Sequence, residues 1–319
     1  MNKVYGNADI QEFIDNYLKQ EKPGGITFLG PKGIGKYLIA SNIAAELLNC
    51  EIDKLTLHPD YIIIKPDGGS IKIGQIQLLQ KVVFYYPSRS SRRVILIDDA
   101  DSMTVSSQNC LLKILEDKQD MNVFLFVAHS SLLPTIHSRT STVTMKGLSH
   151  DEMLEYLSIQ GLNSEDAIFY VSICDGSIGT YRRLKDETGV ISAFKKCVKY
   201  FETCSERNIK LLKLFHLYKE KDSYNFYELF KDEIDSFFYM IMNLFYGLFL
   251  SFADVVDNKC DLIDYSNMKK HYNIIDTIYI LEQVKKHRLL LKNRSYSKND
   301  FFDFVRSLIS TDESNIHQF

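Results

Sequence analysis

Seven residues near the start of the chain have the types and spacing of a phosphate-binding loop. Gly30-Pro31-Lys32-Gly33-Ile34-Gly35-Lys36 reads GxxxxGK. In such a loop the glycines let successive backbone N–H groups turn inward onto phosphate oxygens. The helix that follows adds its positive end, and the lysine reaches the terminal phosphates. The string gains its weight from position. It follows Ile26–Leu29, which reads as a strand, and precedes Leu38–Leu48, where Leu38, Ile39, Ile43, Ala44, Leu47 and Leu48 fall on one helical face. A glycine turn without a ligand is the other reading of the same residues.

The next residue, Tyr37, is out of place for hydrolysis. A small Ser or Thr hydroxyl there ligates Mg²⁺. A phenol oxygen lies several ångströms further from the backbone and would displace the metal. ATP or ADP binding stays open to this loop, while Mg²⁺-dependent hydrolysis is not expected. Val94-Ile95-Leu96-Ile97-Asp98-Asp99 has the form of a Walker B strand. Asp98 stands where a carboxylate holds Mg²⁺, directly or through water. Asp99 stands where a glutamate usually orients the attacking water, and it is one methylene shorter. A misplacement near 1 Å costs on the order of 100-fold in rate. The same two aspartates would also serve to cap the helix that follows.

Positioning these groups takes a set of alternating elements. Tyr61–Lys65, Val94–Asp98, Val123–Ala128 and Thr142–Met145 read as further strands, with helices predicted over Ile73–Tyr85 and Ser106–Glu116. The third strand is apolar throughout, as expected when helices cover both faces of a parallel sheet. After Gly147 the strand signals stop. Ser149-His150-Asp151-Glu152 reads as a helix start, and short helices break at Gly161 and Gly176–Gly179. Long helices rich in Phe, Tyr, Leu and Ile follow. The expected architecture is an α/β P-loop domain with a parallel sheet (1–147), a small helical lid domain (148–187) and an all-α C-terminal domain (188–319).

Composition bounds the function classes. The chain has 319 residues, 45% of them hydrophobic and 25% charged, which excludes a disordered tail, a fibre or a small disulfide scaffold. A net charge of -3 argues against a protein that grips nucleic acid alone through a broad basic face. The first residues lack an apolar signal core, which points to a cytoplasmic protein. The six cysteines are scattered without a CxxC pair, so free thiols and no zinc are expected. The uncharged run Phe237–Ala253 is at the short limit for a membrane span. It carries Asn243, Gly247 and Ser251 and is flanked by Asp232, Glu233, Asp235 and Asp254. A buried helix is therefore expected rather than a span.

Two further stretches, with those above, resemble the clamp-loader branch of the AAA+ ATPases through about residue 185. Asp99-Ala100-Asp101-Ser102-Met103-Thr104, then Asn109-Cys110-Leu111-Leu112-Lys113-Ile114-Leu115-Glu116-Asp117, resembles the family's "DA-x-x-M … N-x-L-L-K-x-L-E-E". Its helix would turn Leu111, Leu112 and Leu115 inward and Lys113 and Glu116 outward. Leu133-Pro134-Thr135-Ile136-His137-Ser138-Arg139-Thr140 resembles "L-P-T-I-x-S-R-C", with Thr140 in place of Cys. The resemblance implies that Arg139, with Ser138 beside it, is an arginine finger aimed at ATP held by a neighbouring subunit. A guanidinium, always charged and forked, suits phosphate oxygens. The other reading of Arg139 is a surface salt bridge. His58-Pro59-Asp60 resembles the family's "H-P-D". Leu289–Asn293, ahead of a last amphipathic helix with Phe301, Phe304, Val305 and Leu308, resembles the end of its collar domain.

A degenerate phosphate loop beside an intact Ser138-Arg139 segment is similar to the family's non-hydrolysing members. The resemblance then implies a stator without ATPase activity of its own, within a replicative DNA polymerase holoenzyme. Its partners would be the other subunits of a hetero-pentamer and, through them, the sliding clamp and primer-template DNA. It would need no cofactor, no metal and no membrane. The alternative within the family is an ATP-hydrolysing motor subunit. A P-loop small-molecule kinase would need an acceptor-binding lid, which nothing after Gly147 resembles.

The chain also departs from the family pattern. Many relatives carry a four-cysteine zinc module where this chain has only Cys50. In the turn Gly176–Arg183, Thr180 replaces an expected basic residue, leaving Arg182 or Arg183 to substitute. His129 and Ser130 stand where a Thr or Asn usually senses the γ-phosphate. Val4 and Tyr5 fit either packing on adenine or anchoring in the core. Ser88-Arg89-Ser90-Ser91-Arg92-Arg93 fits a contact to DNA phosphates or a partner, or a solvated loop.

Overall fold

The computed structural model describes residues 8–21, 23–116, 121–203, 233–253, 255, 263, 265–292 and 296–309. The chain divides into two compact units. One comprises residues 1–149 with the turn Gly176–Gly179, and the other comprises 150–175 with 180–319.

The first unit is built on five strands: β1 Gly25–Leu29, β2 Tyr61–Ile64, β3 Arg93–Ile97, β4 Asn122–Ala128 and β5 Thr140–Thr144. They pair in the order β2-β3-β4-β1-β5, all parallel, with Ile26 opposite Leu125 and Ile95 opposite Phe124. Parallel neighbours need crossover helices, and these cover both faces. Residues alternate between the two faces along each strand. Val94 and Leu96 join Ile26, Phe28, Leu125 and Val127 in a core with α1 (Ala8–Leu18) and α2 (Lys36–Leu47). Ile95 and Ile97 join Phe124 and Phe126 in a second core with α3 (Ile73–Val83) and α4 (Val105–Glu116). The apolar third strand therefore has the covered faces its composition predicts. α1 and the 3-10 turn Ile52–Leu57 were not expected from the sequence.

Two local expectations are corrected. Leu38, assigned to the buried face of α2, is 45% exposed, and Tyr37 packs against the core instead. Arg93 belongs to no solvated loop. It opens β3 fully buried, and its guanidinium donates to the carbonyls of Val82, Tyr85 and Tyr86, closing the C-terminal end of α3. Asn122 satisfies one more of these orphan carbonyls, Val83 O, at 3.0 Å.

The second unit is helical: α6 His150–Ile159, α7 Ser164–Cys174, the rest of α8 (Ile178–Leu184), α9 Thr188–Thr203, and helices at Ile234–Phe252, Tyr265–Met268, Ile274–Lys292 and Lys298–Ile309. Among the described residues, Ile234–Phe252 alone is long and apolar enough to cross a membrane by length and composition. Here it packs within the unit. Phe237, Phe238, Ile241, Leu244, Phe245 and Leu248 are buried, and the Phe238 ring meets Phe304 edge-on at 4.7 Å. The apolar run thus forms the buried helix that its polar interruptions and acidic flanks suggest. Val4 and Tyr5 lie outside the described residues.

Candidate functional site

The loop Gly30–Lys36 sits at the C-terminal end of β1, the sheet edge at which parallel α/β folds gather ligands. The entry into the loop is tight. A Cβ on Gly30 would lie 2.3 Å from the Met145 carbonyl oxygen, so only glycine fits there. Lys36 opens α2 and is almost wholly buried. Its Nζ donates to Gly30 O at 2.6 Å, to Pro31 O, and to His129 Nδ1 at 3.1 Å. An ammonium has three donors, and these contacts use all of them. Burial lowers the lysine's pKa to about 8, against the pull of Asp101, Asp98 and Asp99.

A second element closes on the same loop. The Gly179 N–H donates to the Gly33 carbonyl at 2.9 Å, and a Cβ on Gly179 would come within 2.6 Å of that oxygen. The turn after residue 175 is thus fastened to the phosphate loop by backbone contact, again allowed by a glycine.

The groups expected to handle a metal are otherwise engaged. The half-buried Tyr37 ring lies beneath Lys65 Nζ, 4.8 Å from the ring centroid, and presents no small hydroxyl beside Lys36. Asp98 has its pKa raised by burial, partly offset by Lys65. Asp99 takes a left-handed backbone at φ 53° and heads the turn Ala100–Ser102 without a side-chain capping bond, so the capping reading does not hold for it. Its Oδ1 lies 3.1 Å from His129 Nε2. Accepting from Lys36 at Nδ1 leaves a neutral His129 ring with its proton on Nε2, which faces Asp99 Oδ1 at close range without an aligned hydrogen bond to it. Asp101 accepts from the His129 N–H at 3.1 Å and from Ser130 Oγ at 3.0 Å. The strand-four end that would sense a phosphate is therefore tied to Asp101.

Arg139 stands elsewhere in this unit. Leu133 precedes α5 (Pro134–His137), which has proline in its first turn, and Ser138 ends it, with Oγ donating to Thr135 O at 3.0 Å. The Arg139 guanidinium donates to Thr135 O at 2.9 Å, Ser138 Oγ at 3.2 Å and Glu116 Oε1 at 2.7 Å. Its side chain is 31% exposed. Its contacts run to the ends of α4 and α5, not to Gly30–Lys36. Sequence reasoning placed Glu116 on the outer face of α4 but had no signal for this pairing across 23 residues.

His58-Pro59-Asp60 proves to be a loop anchor. The buried Asp60 carboxylate accepts the backbone N–H groups of Ser88, Arg89 and Ser90, and His58 Nδ1 accepts the Asp60 N–H at 3.2 Å. Burial pushes the Asp60 pKa up, and the three N–H donors more than reverse this, leaving it below the usual carboxylate value. Within the helical unit Arg183, a candidate substitute for the basic residue missing at Thr180, is held by the buried Glu233 through a two-point contact. Cys50, Cys110, Cys174 and Cys197 are free thiols, and the described residues include no group of three or more metal-ligating side chains.

Residues 6–149 match the family model of the DNA polymerase III delta subunit. The delta' subunit of DNA polymerase III from Pseudomonas aeruginosa is 34% identical over 128 residues, covering 34% of this chain and 39% of that protein. The delta' subunit from Bacillus subtilis is 35% identical over 136 residues, 38% of this chain and 41% of that protein. The gamma/tau subunit from Mycoplasma genitalium is 28% identical over 173 residues, 49% of this chain and 29% of that protein. The matched region spans about two fifths of the length of the two delta' relatives.

Proposed function

We propose that this chain, whose residues 6–149 match the family model of the DNA polymerase III delta subunit and resemble delta' subunits, is a delta'-like member of the clamp-loader branch of the AAA+ proteins and works as a non-hydrolysing stator of a clamp loader. In this reading Arg139 completes the ATP site of a neighbouring motor subunit while the assembly loads a sliding clamp onto primer-template DNA. The observation that carries it is the contrast between the two phosphate-seeking groups of the first unit. Lys36 is buried and spends its three donors on its own loop and His129. Arg139 is partly exposed just past α5, its guanidinium on Glu116, Ser138 Oγ and Thr135 O and away from its own phosphate loop.

Arg139 would act by charge. When the phosphoryl group transfers on the neighbour, negative charge grows on its oxygens, and a fixed guanidinium offers donors to that charge without reorganising. Ser138 would hold the guanidinium's inner edge, as it does here. Tyr37 does not fit a Mg²⁺ ligand, so no hydrolytic step is assigned to this chain. No zinc, other metal or resident nucleotide is part of the proposal. The helical part would divide into a lid over 148–187 and a collar over 188–319 that joins the other subunits of a hetero-pentamer in the cytoplasm.

The test is reconstitution. With the neighbouring ATPase subunits, the Arg139→Ala complex should assemble and yet hydrolyse ATP far more slowly, by about 10³-fold if the finger matches those of GTPases. Arg139→Lys should rescue poorly, since an ammonium lacks the planar fork. Unimpaired clamp loading by the Arg139→Ala complex would end the finger reading.

A further inference from the structure

α5 is a single turn of four residues, too short to hold its own shape, so its place is fixed by what surrounds it. Gln108 of α4 accepts the Leu133 N–H at 3.1 Å, where the turn begins. Ile136 is fully buried in the core shared with α3 and α4. His137, the last residue of the turn, reaches two further segments at once. Its Nε2 accepts the Leu132 N–H at 3.1 Å, with Ser131 Oγ also 3.1 Å away. Its Nδ1 lies 2.9 Å from Thr142 Oγ1 on β5. Accepting a backbone N–H at Nε2 leaves a neutral ring with its proton on Nδ1, available to Thr142. One rigid ring, an acceptor on one edge and a donor on the other, thus ties the loop after β4, the end of α5 and β5 together. It does so across the point where Arg139 leaves the turn.

That placement passes to Arg139. Two of the guanidinium's three contacts go to Thr135 O and Ser138 Oγ, in and just past α5, so the group is carried with the turn. The third partner, Glu116, is more than half exposed and holds it only weakly. Among the described residues, no hydrogen bond of His137 goes to Arg139 itself. Any influence of the imidazole on the guanidinium therefore runs through the backbone of α5.

We infer that His137 is a positioning residue for the arginine finger. By engaging the Leu132 N–H and Thr142 Oγ1 on its two ring nitrogens, it sets the angle of α5 and so the place to which the Arg139 guanidinium is carried. The inference rests on the finger reading and names the side chain that aims the finger.

Reconstituted complexes test it, read by ATP hydrolysis in the neighbouring subunit. His137→Leu removes both ring contacts and should lower kcat at least about tenfold with KM for ATP little changed, since a misplacement near 1 Å costs on the order of 100-fold. Thr142→Val changes an exposed side chain on β5, breaks the Nδ1 contact alone and should lower kcat by less. It carries the test if His137→Leu fails to assemble. The decisive measurement is a double-mutant cycle. In an Arg139→Ala background neither change should cost anything further, because a residue that acts through the guanidinium has nothing left to place. A kcat unchanged in His137→Leu, or in Thr142→Val where the former does not assemble, would overturn the inference and leave the finger intact. So would an equal fold-loss with and without Arg139, which is what a merely structural role produces. Normal hydrolysis by Arg139→Ala would instead overturn the finger reading, and this inference with it.

Discussion

The Arg139 guanidinium and the Glu116 carboxylate meet at 2.7 Å, joining the residue after α5 to the last residue of α4. Both side chains are partly exposed, Glu116 more than half, so the pair is screened by water and contributes less than about 1 kcal/mol to stability. Such a contact keeps the guanidinium in place without holding it strongly. A phosphate, with more charge and more acceptor oxygens, would outcompete a single exposed carboxylate. On the proposed finger reading, Glu116 would be a weak holder of Arg139 between encounters.

Glu116→Gln tests this relationship, since it keeps the shape and removes the charge. Thermal unfolding of the isolated chain should shift by the equivalent of less than about 1 kcal/mol. In the reconstituted complex, ATP hydrolysis by the neighbouring subunit should be unchanged or faster. A loss as deep as that of Arg139→Ala would mean that Glu116 orients the finger in the working site.

Asp60→Asn should destabilise the first unit by about 1–3 kcal/mol, because an amide cannot accept as a carboxylate does from three backbone N–H groups. The folded pKa of Asp60 lies below its unfolded value. The charged form therefore stabilises the protein above the unfolded pKa, and that stability is lost as pH falls through the folded pKa. Denaturant midpoints of the two proteins should differ most near neutral pH and converge in acid. Equal midpoints at neutral pH would mean that the Ser88–Ser90 loop is held by other contacts.

How much of this was legible in sequence follows from how local each signal is. The strands and the helices between them were readable because both faces of the sheet are apolar, and the loop Gly30–Lys36 because its glycines answer to local backbone geometry. Strand ends moved by a residue or two, as at β5, where Thr140 and Ser141 pair with Gly25 and Ile26 despite their polar side chains. The contacts that decide the site were not readable. Lys36 with His129, Arg139 with Glu116, and Gly179 on Gly33 join residues far apart in the chain, and no spacing rule connects them. Arg93 was misread for a similar reason. Its place in a run of basic residues says nothing about the orphan carbonyls at the end of α3 that draw it inward.

Lys36 should leave a mark on the pH dependence of stability. Its folded pKa, about 8, lies below the ordinary 10.5 because burial penalises the ammonium. Below about pH 8 both states carry the proton, and the folded state bears the full cost of a buried charge. As pH rises from about 8 to 10.5 the folded state releases its proton first, so stability contributed at this site increases through that window. Lys36→Met, which keeps the length and drops the charge, should lack the increase. The check is the difference in denaturant midpoint between the two proteins across that range. A constant difference would show that the lysine titrates as it does in the unfolded chain.

Restoring the missing hydroxyl should not restore an ATPase. The isolated chain should show no Mg²⁺-dependent turnover above background, and Tyr37→Thr should supply the small oxygen that a metal needs. Three features of the loop would still oppose catalysis. Lys36 Nζ would have to leave Gly30 O, Pro31 O and His129 before meeting a phosphate, and abandoning the buried Gly30 carbonyl costs free energy. The Gly33 carbonyl is already bonded to the Gly179 N–H, and the close backbone approach there leaves no room for a side chain. Asp99, one methylene shorter than the usual glutamate, is turned to His129 Nε2 instead of being free to orient a water. The Tyr37→Thr protein should therefore gain at most weak nucleotide binding, seen as a small rise in melting temperature with ATP, and no turnover. Turnover of about 1 s⁻¹ in that single variant, abolished again by Lys36→Ala, would show that the self-bonded loop opens readily and that Tyr37 alone had silenced it.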